Sequence, residues 1–94
     1  MNDDDFEWDE RKARLNLRKH GLSFEIARRV FEDFYAYEWA DKREDYGEER
    51  FNITGLVAGR LLTVTFTIRE PKIRIISARR AEPRERRRYH DQKD

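Results

Sequence analysis

The chain has 94 residues, no cysteine and a net charge of +1, with 44% charged and 37% hydrophobic side chains. So short a chain makes one domain, residues 1–94, with a thin core, and the missing cysteine excludes disulfides, thiolate chemistry and a thiolate zinc site. No apolar run approaches the ~18 residues that span a bilayer, and the acidic start MNDDDFEW does not read as a signal peptide, so the expected address is the cytoplasm, with no membrane partner.

Phe6 and Trp8 alternate with acids, as in a short strand or extended anchor. Asp9 suits a helix N-cap, because its carboxylate accepts from free backbone N–H groups. A helix from Glu10 to about His20 follows, with Ala13 and Leu17 on its inner face and Gly21 as the left-handed stop. Ser23 caps a second helix whose buried stripe is Phe24, Ala27, Val30, Phe31 and Phe34. From Tyr35 the period becomes two, and Tyr35, Tyr37 and Trp39 predict a half-buried strand. ADKREDYGEE reads as a polar loop. Three strands follow, at Arg50–Leu56, Arg60–Ile68 and Lys72–Ala78. VAGR and REP separate them as tight turns, so neighbours are antiparallel. Pro83 opens a last helix running to about His90, too poor in apolar residues to be a core helix. This order predicts an α+β domain with helices packed on one face of a meander sheet.

Charge divides unevenly along the chain. Residues 1–47 carry 9 basic and 13 acidic side chains, and residues 48–94 carry 12 and 7. Six of the ten residues from Arg79 to Arg88 are arginine, against two glutamates. A basic half of this kind suits a polyanion partner. Guanidinium groups bind phosphate bidentately and stay charged at any usable pH, so an arginine cluster also suits a phosphoryl transition state. Arg60, Arg69, Arg74, Arg79 and Arg80 all lie in or at the ends of strands. Strand parity puts residues 60, 62, 64, 66 and 68 on one face and Arg69 on the other. A solvated sheet rim would carry the same residues, and Arg74 equally suits pairing with a carboxylate.

Other chemistries find less support. His20 and His90 end different helices, and neither has a ligand-like neighbour at i+3 or i+4, so no metal site is expected. No Gly-rich phosphate loop or serine elbow is present. Lys19 and His20 close the first helix, where a histidine can move protons near neutral pH and where a cation is also favoured by the helix dipole. Tyr46, in the polar loop, suits either base stacking or packing on the sheet. Trp8 and Trp39 read as core rather than ligand platform.

Three segments, FEWDERKARLNLRKHGLSFEIARRVFED (6–33), YGEERF (46–51) and RIISARRAEPRERRRY (74–89), together resemble the BrnT family of toxins of type II toxin–antitoxin systems. The resemblance implies a RelE-like α+β fold: two N-terminal helices packed on a four-stranded antiparallel sheet, with a short N-terminal strand and a basic C-terminal helix. It implies a ribonuclease, an mRNA interferase, that inhibits translation by cutting RNA. With the arginine cluster and the lack of metal ligands, it leads to the expectation of cleavage without a metal or other cofactor, by attack of the RNA 2′-OH on the adjacent phosphorus through a phosphorane. It also implies a ribbon–helix–helix antitoxin, with operator DNA reached only through the toxin–antitoxin complex. That complex leaves room for a toxin homodimer.

Carried onto this sequence, the KHG motif makes Lys19 and His20 the acid–base candidates. Arg69 and Arg79 become the groups that stabilise the phosphorane, and Arg60, Arg74, Arg80 and Tyr46 further RNA contacts. Arg84, Arg87 and Arg88 of the last helix become antitoxin contacts, with RNA as their other ligand. Phe66 stands where related toxins often have tyrosine, so the burden falls on His20 and the arginines. A basic module that holds nucleic acid without cutting it, or a purely structural partner, are the alternatives. Labelled RNA incubated with and without EDTA separates all three.

Overall fold

Asp9 and Gly21 bracket the first helix by their chemistry. The Asp9 carboxylate accepts from the Arg11 and Lys12 backbone N–H groups, and Gly21 (φ 70°) donates its own N–H to the Leu17 carbonyl. The computed structural model describes residues 5–93; the acidic run Met1–Asp4 and Asp94 lie outside the described residues. In chain order the elements are β1 (Phe6–Trp8), α1 (Glu10–His20), α2 (Phe24–Ala27), β2 (Tyr37–Asp41), β3 (Arg50–Val57), β4 (Arg60–Arg69), β5 (Lys72–Arg80) and α3 (Pro83–Lys93).

The strands form one sheet in the order β1-β5-β4-β3-β2. Strands β2 to β5 are antiparallel neighbours, joined between β3 and β4 by the Ala58–Gly59 turn, where both residues have positive φ. The four-stranded antiparallel sheet expected from sequence is therefore incomplete. β1 adds a fifth strand, parallel to β5, with Phe6 opposite Ile73 and Trp8 opposite Ile75. A parallel pair needs a long crossover, and the chain between β1 and β5 supplies it.

The second helix also departs from expectation. It makes one α turn and continues as a 3₁₀ segment, Arg28–Glu32. Gly55 of β3 lets this segment sit close: a Cβ there would lie 2.8 Å from the Val30 side chain and 3.2 Å from its carbonyl. The helical run stops at Glu32, so Phe34 falls outside the buried stripe and is 91% exposed. On α1 the inner face holds Asn16, which is buried, while Leu17 points outward at 51% exposure.

The helices before β2 cover one face of the sheet. Phe6, Phe24, Ala27, Val30, Ile53, Leu62, Val64, Phe66, Ile75 and Ala78 form the core between the layers. Phe66 sits in it between Phe31 and Phe51, at 5.0 and 5.6 Å between ring centroids. A tyrosine hydroxyl at this position would enter the core, so its absence removes nothing from the opposite face.

Candidate nucleic-acid interface on the open face of the sheet

Alternation sends the other side chains of β2–β5 to the face without the N-terminal helices. The pairing registers arrange them in rows across the strands. One row is Tyr37, Thr54, Thr63 and Arg79; the next is Trp39, Asn52, Thr65 and Ser77. The polar members bond to one another. Thr54 and Thr63 share a hydrogen bond of 2.6 Å, and Thr65 donates to Asn52 Oδ1 at 2.7 Å. Toward the β4–β5 turn the face ends in Thr67, Arg69, Lys72 and Arg74.

The helix α3 closes one end of this face. Glu85 is its centre. Arg79 donates through both terminal nitrogens to the two Glu85 oxygens, at 2.8 and 2.9 Å, and Thr63 adds a hydroxyl donor at 2.8 Å. Glu85 Oε1 also accepts from the Glu82 N–H, capping the helix entry. Burial pushes the Glu85 carboxyl up, but the Arg79 fork and these donors outweigh it and hold it below the usual range. The same fork raises the Arg79 pKa. Tyr37 donates its hydroxyl to the Glu85 carbonyl.

A second latch lies one helical turn on. Tyr89, fully buried, donates its hydroxyl to Asp33 at 2.7 Å, and Asp33 also accepts from the Leu56 and Tyr35 backbone N–H groups. The last helix thus contributes a core residue that its poor apolar content did not predict. Burial acts to raise the Asp33 carboxyl, and these three donors more than reverse it. Burial and the Asp33 charge push Tyr89 up to about 12. A carboxyl held below its unfolded value stabilises the fold above that value and loses the contribution as pH falls through it. With Asp33, Asp41 and Glu85 all lowered, thermal stability should be flat near neutrality and drop below about pH 5. Tyr89 has the opposite sign, so a second decline is expected between pH 10 and about 12. Melting curves recorded across this range check both limbs, and Tyr89→Phe should shrink the alkaline one, leaving the part due to Tyr37, whose hydroxyl burial also pushes up.

The candidates read from sequence fall on different sides. Arg69, Arg74 and Arg79 project from the open face, each against a carboxylate: Glu48 at 3.4 Å, Glu7 at 2.9 Å and Glu85. Tyr46 carries the Arg50 guanidinium on its ring at 4.1 Å, while Arg50 Nε faces Glu48 at 3.5 Å. Lys19 and His20, both exposed, end α1 on the helix-covered side. Arg60 and Arg80 also belong to that side, Arg60 sharing a cleft with Gly21 and Leu22. The shared grip of Arg69 and Arg79 on one phosphorane does not fit this geometry. Arg79 is opposite Thr63, six residues along β4 from Arg69, about 20 Å at ~3.3 Å per residue. That spacing suits separate phosphates of one strand. The helix α3 divides its arginines too: Arg84 and Arg88 face Tyr37 and Trp39, whereas Arg86, Arg87 and His90 line the opposite side with Ala81 and Pro83.

Sequence reasoning passed over Glu85, Asp33 and Asn16. Only Glu85 left a signal, as the acid three residues after Glu82 at a proline-opened helix. Among the described residues no three His, Cys, Asp or Glu side chains gather as metal ligands, and no helix is long and apolar enough to cross a membrane.

Fold and site define a small α+β domain that backs its sheet with helices on one side and presents an arginine-bearing polar face on the other. Residues 8–85 match the family model described as the ribonuclease toxin BrnT of type II toxin–antitoxin systems, and the chain belongs to that family. No curated protein matches the chain significantly.

Proposed function

We propose that this toxin cuts RNA without a metal ion, by attack of a 2′-oxygen on the adjacent phosphorus, with the RNA lying across the open sheet face. The P–O2′ bond forms and the P–O5′ bond breaks, so one proton leaves the 2′-hydroxyl and one reaches the 5′-oxygen. The observation that carries this reading is Arg79, an oriented guanidinium at the end of a polar row of the sheet. Its charge stabilises the phosphorane, a contribution of roughly 10²–10³ in rate. Arg69 and Arg74 hold phosphates farther along the strand.

Proton transfer falls to Lys19 and His20, and this sets where the scissile phosphate lies. The sheet separates these residues from Arg79, but β5 ends there, and its last two residues point to opposite sides. A phosphate at this rim meets Arg79 from the open face and Arg80 and Arg60 from the helix side. The antitoxin, of ribbon–helix–helix type, takes the outer side of α3 through Arg87, with Arg86 and His90 beside it.

Cleavage should proceed unchanged in EDTA and stop on RNA whose attacking hydroxyl is replaced by hydrogen. Gel analysis of end-labelled RNA reads both. Loss of cutting in EDTA, restored by a divalent ion, would overturn the metal-free mechanism, and efficient cutting of the deoxy-substituted RNA would overturn 2′-attack.

A further inference from the structure

Between the edge strand β2 and α3 lies a cleft of about 170 Å³ lined by Tyr37, Trp39, Arg84, Glu85 and Arg88. Trp39, half-buried on the open face, lies nearly parallel to Tyr37, with centroids 5.3 Å apart and planes 23° apart. The Arg88 guanidinium sits over Tyr37 at 5.0 Å. Its charge is otherwise uncommitted. Among the described residues neither Arg84 nor Arg88 meets a carboxylate, in contrast to Arg43, Arg50, Arg69, Arg74 and Arg79, each of which does. Glu85, though it borders the cleft, spends both oxygens on Arg79, Thr63 and the Glu82 N–H. The Trp39 indole N–H has no hydrogen-bond partner among the described residues. A planar aromatic surface beside two uncommitted guanidiniums matches what a single-stranded nucleic acid offers, a π face on a phosphodiester chain.

We propose that this cleft is a nucleobase subsite, in which a base stacks against Trp39 and Arg84 and Arg88 take the adjacent phosphates. The inference rests on the RNA-cleaving reading above and adds to it a determinant of where the chain is cut. Tyr37 and Arg79 occupy the same row three strands apart, about 14 Å at ~4.8 Å per strand. Trp39 stands one row beyond, so the stacked base belongs to a nucleotide a few positions from the scissile bond, and base identity there governs site preference through stacking strength.

The test uses deoxy-substituted oligonucleotides and fluorescence anisotropy. Trp39→Ala should weaken binding roughly 5- to 150-fold, the range of one lost base–aromatic stack, and Trp39→Phe should recover most of it. A single abasic site scanned along the oligonucleotide should weaken wild-type binding at one position and leave the Trp39→Ala protein indifferent. In a Trp8→Phe background the remaining Trp39 emission should be quenched on binding, which reads the subsite even if Trp39→Ala does not fold. Oligonucleotide binding with no abasic-sensitive position and unquenched Trp39 overturns the subsite while leaving the RNA reading standing. No binding of any oligonucleotide by wild type overturns both. Trp39→Ala that loses affinity for purified antitoxin but not for RNA makes the cleft a protein interface and also overturns the proposal.

Discussion

Arg79→Ala should lower RNA cleavage by about 10²–10³-fold, the typical cost of removing one oriented donor from a developing charge. The variant should also lose stability, because Arg79 is the partner of Glu85 in the latch that holds α3. Breaking a fully buried pair costs roughly 3–5 kcal/mol; Arg79 keeps 31% of its side chain exposed, so about 1–3 kcal/mol is expected here. The two losses must be separated, and Glu85→Gln does so. It removes the counter-charge while keeping an oxygen that accepts from Arg79 and Thr63. Stability should fall by a smaller amount, yet RNA affinity should rise, since the phosphate then competes for the guanidinium only with the more exposed Glu82 carboxylate, 3.3 Å away. Single-turnover cleavage, anisotropy and melting temperature on both variants distinguish the cases. If Glu85→Gln and Arg79→Ala lose cleavage in proportion to stability, Arg79 is a tether for α3 and has no part in the chemistry.

The elements that depend on local chemistry were legible in the sequence, and those that depend on who covers an edge were not. The Asp9 cap, the Gly21 stop, the Ala58–Gly59 turn and the parity of β4 follow from single residues or short alternations. The parallel pairing of β1 with β5 joins residues some 67 positions apart, as in Glu7 and Arg74, and no local pattern encodes it. Phe34 has the spacing of a buried residue, but the close seat of Val30 on Gly55 ends the helical run first. At the site, arginine chemistry was readable and its counter-charges were not. A carboxylate partner was an open alternative for Arg74 alone, with no sign of which acid, and the fold gives each of Arg69, Arg74 and Arg79 an acid from another element. Trp39 read as core because alternation shows burial on one face without showing which face the helices leave open.

The largest stability effect expected of a residue outside the apolar core is at Asn16. Because β1 pairs only as far as Ile75, the edge of β5 beyond it has no strand neighbour. Asn16 stands in for one: Oδ1 accepts from the buried Ala78 N–H and Nδ2 donates to the Leu22 carbonyl, both at 3.0 Å. Asn16→Ala leaves both backbone groups without partners, at about 1–3 kcal/mol each, for a total of about 2–6 kcal/mol. At about 4–8 °C per kcal/mol for a domain of this size, melting temperature should fall by at least about 10 °C. Asn16→Asp refines the argument. Its carboxylate still accepts from Ala78 but faces the Leu22 carbonyl with no proton to offer, so its pKa should rise above the unfolded value. Stability linked to a raised pKa grows as pH falls. The gap between Asn16→Asp and wild type should therefore narrow from pH ~7 to pH ~5, before the acid limb set by Asp33 and Glu85 begins. A gap that stays constant would mean that water reaches the β5 edge and satisfies it without the side chain.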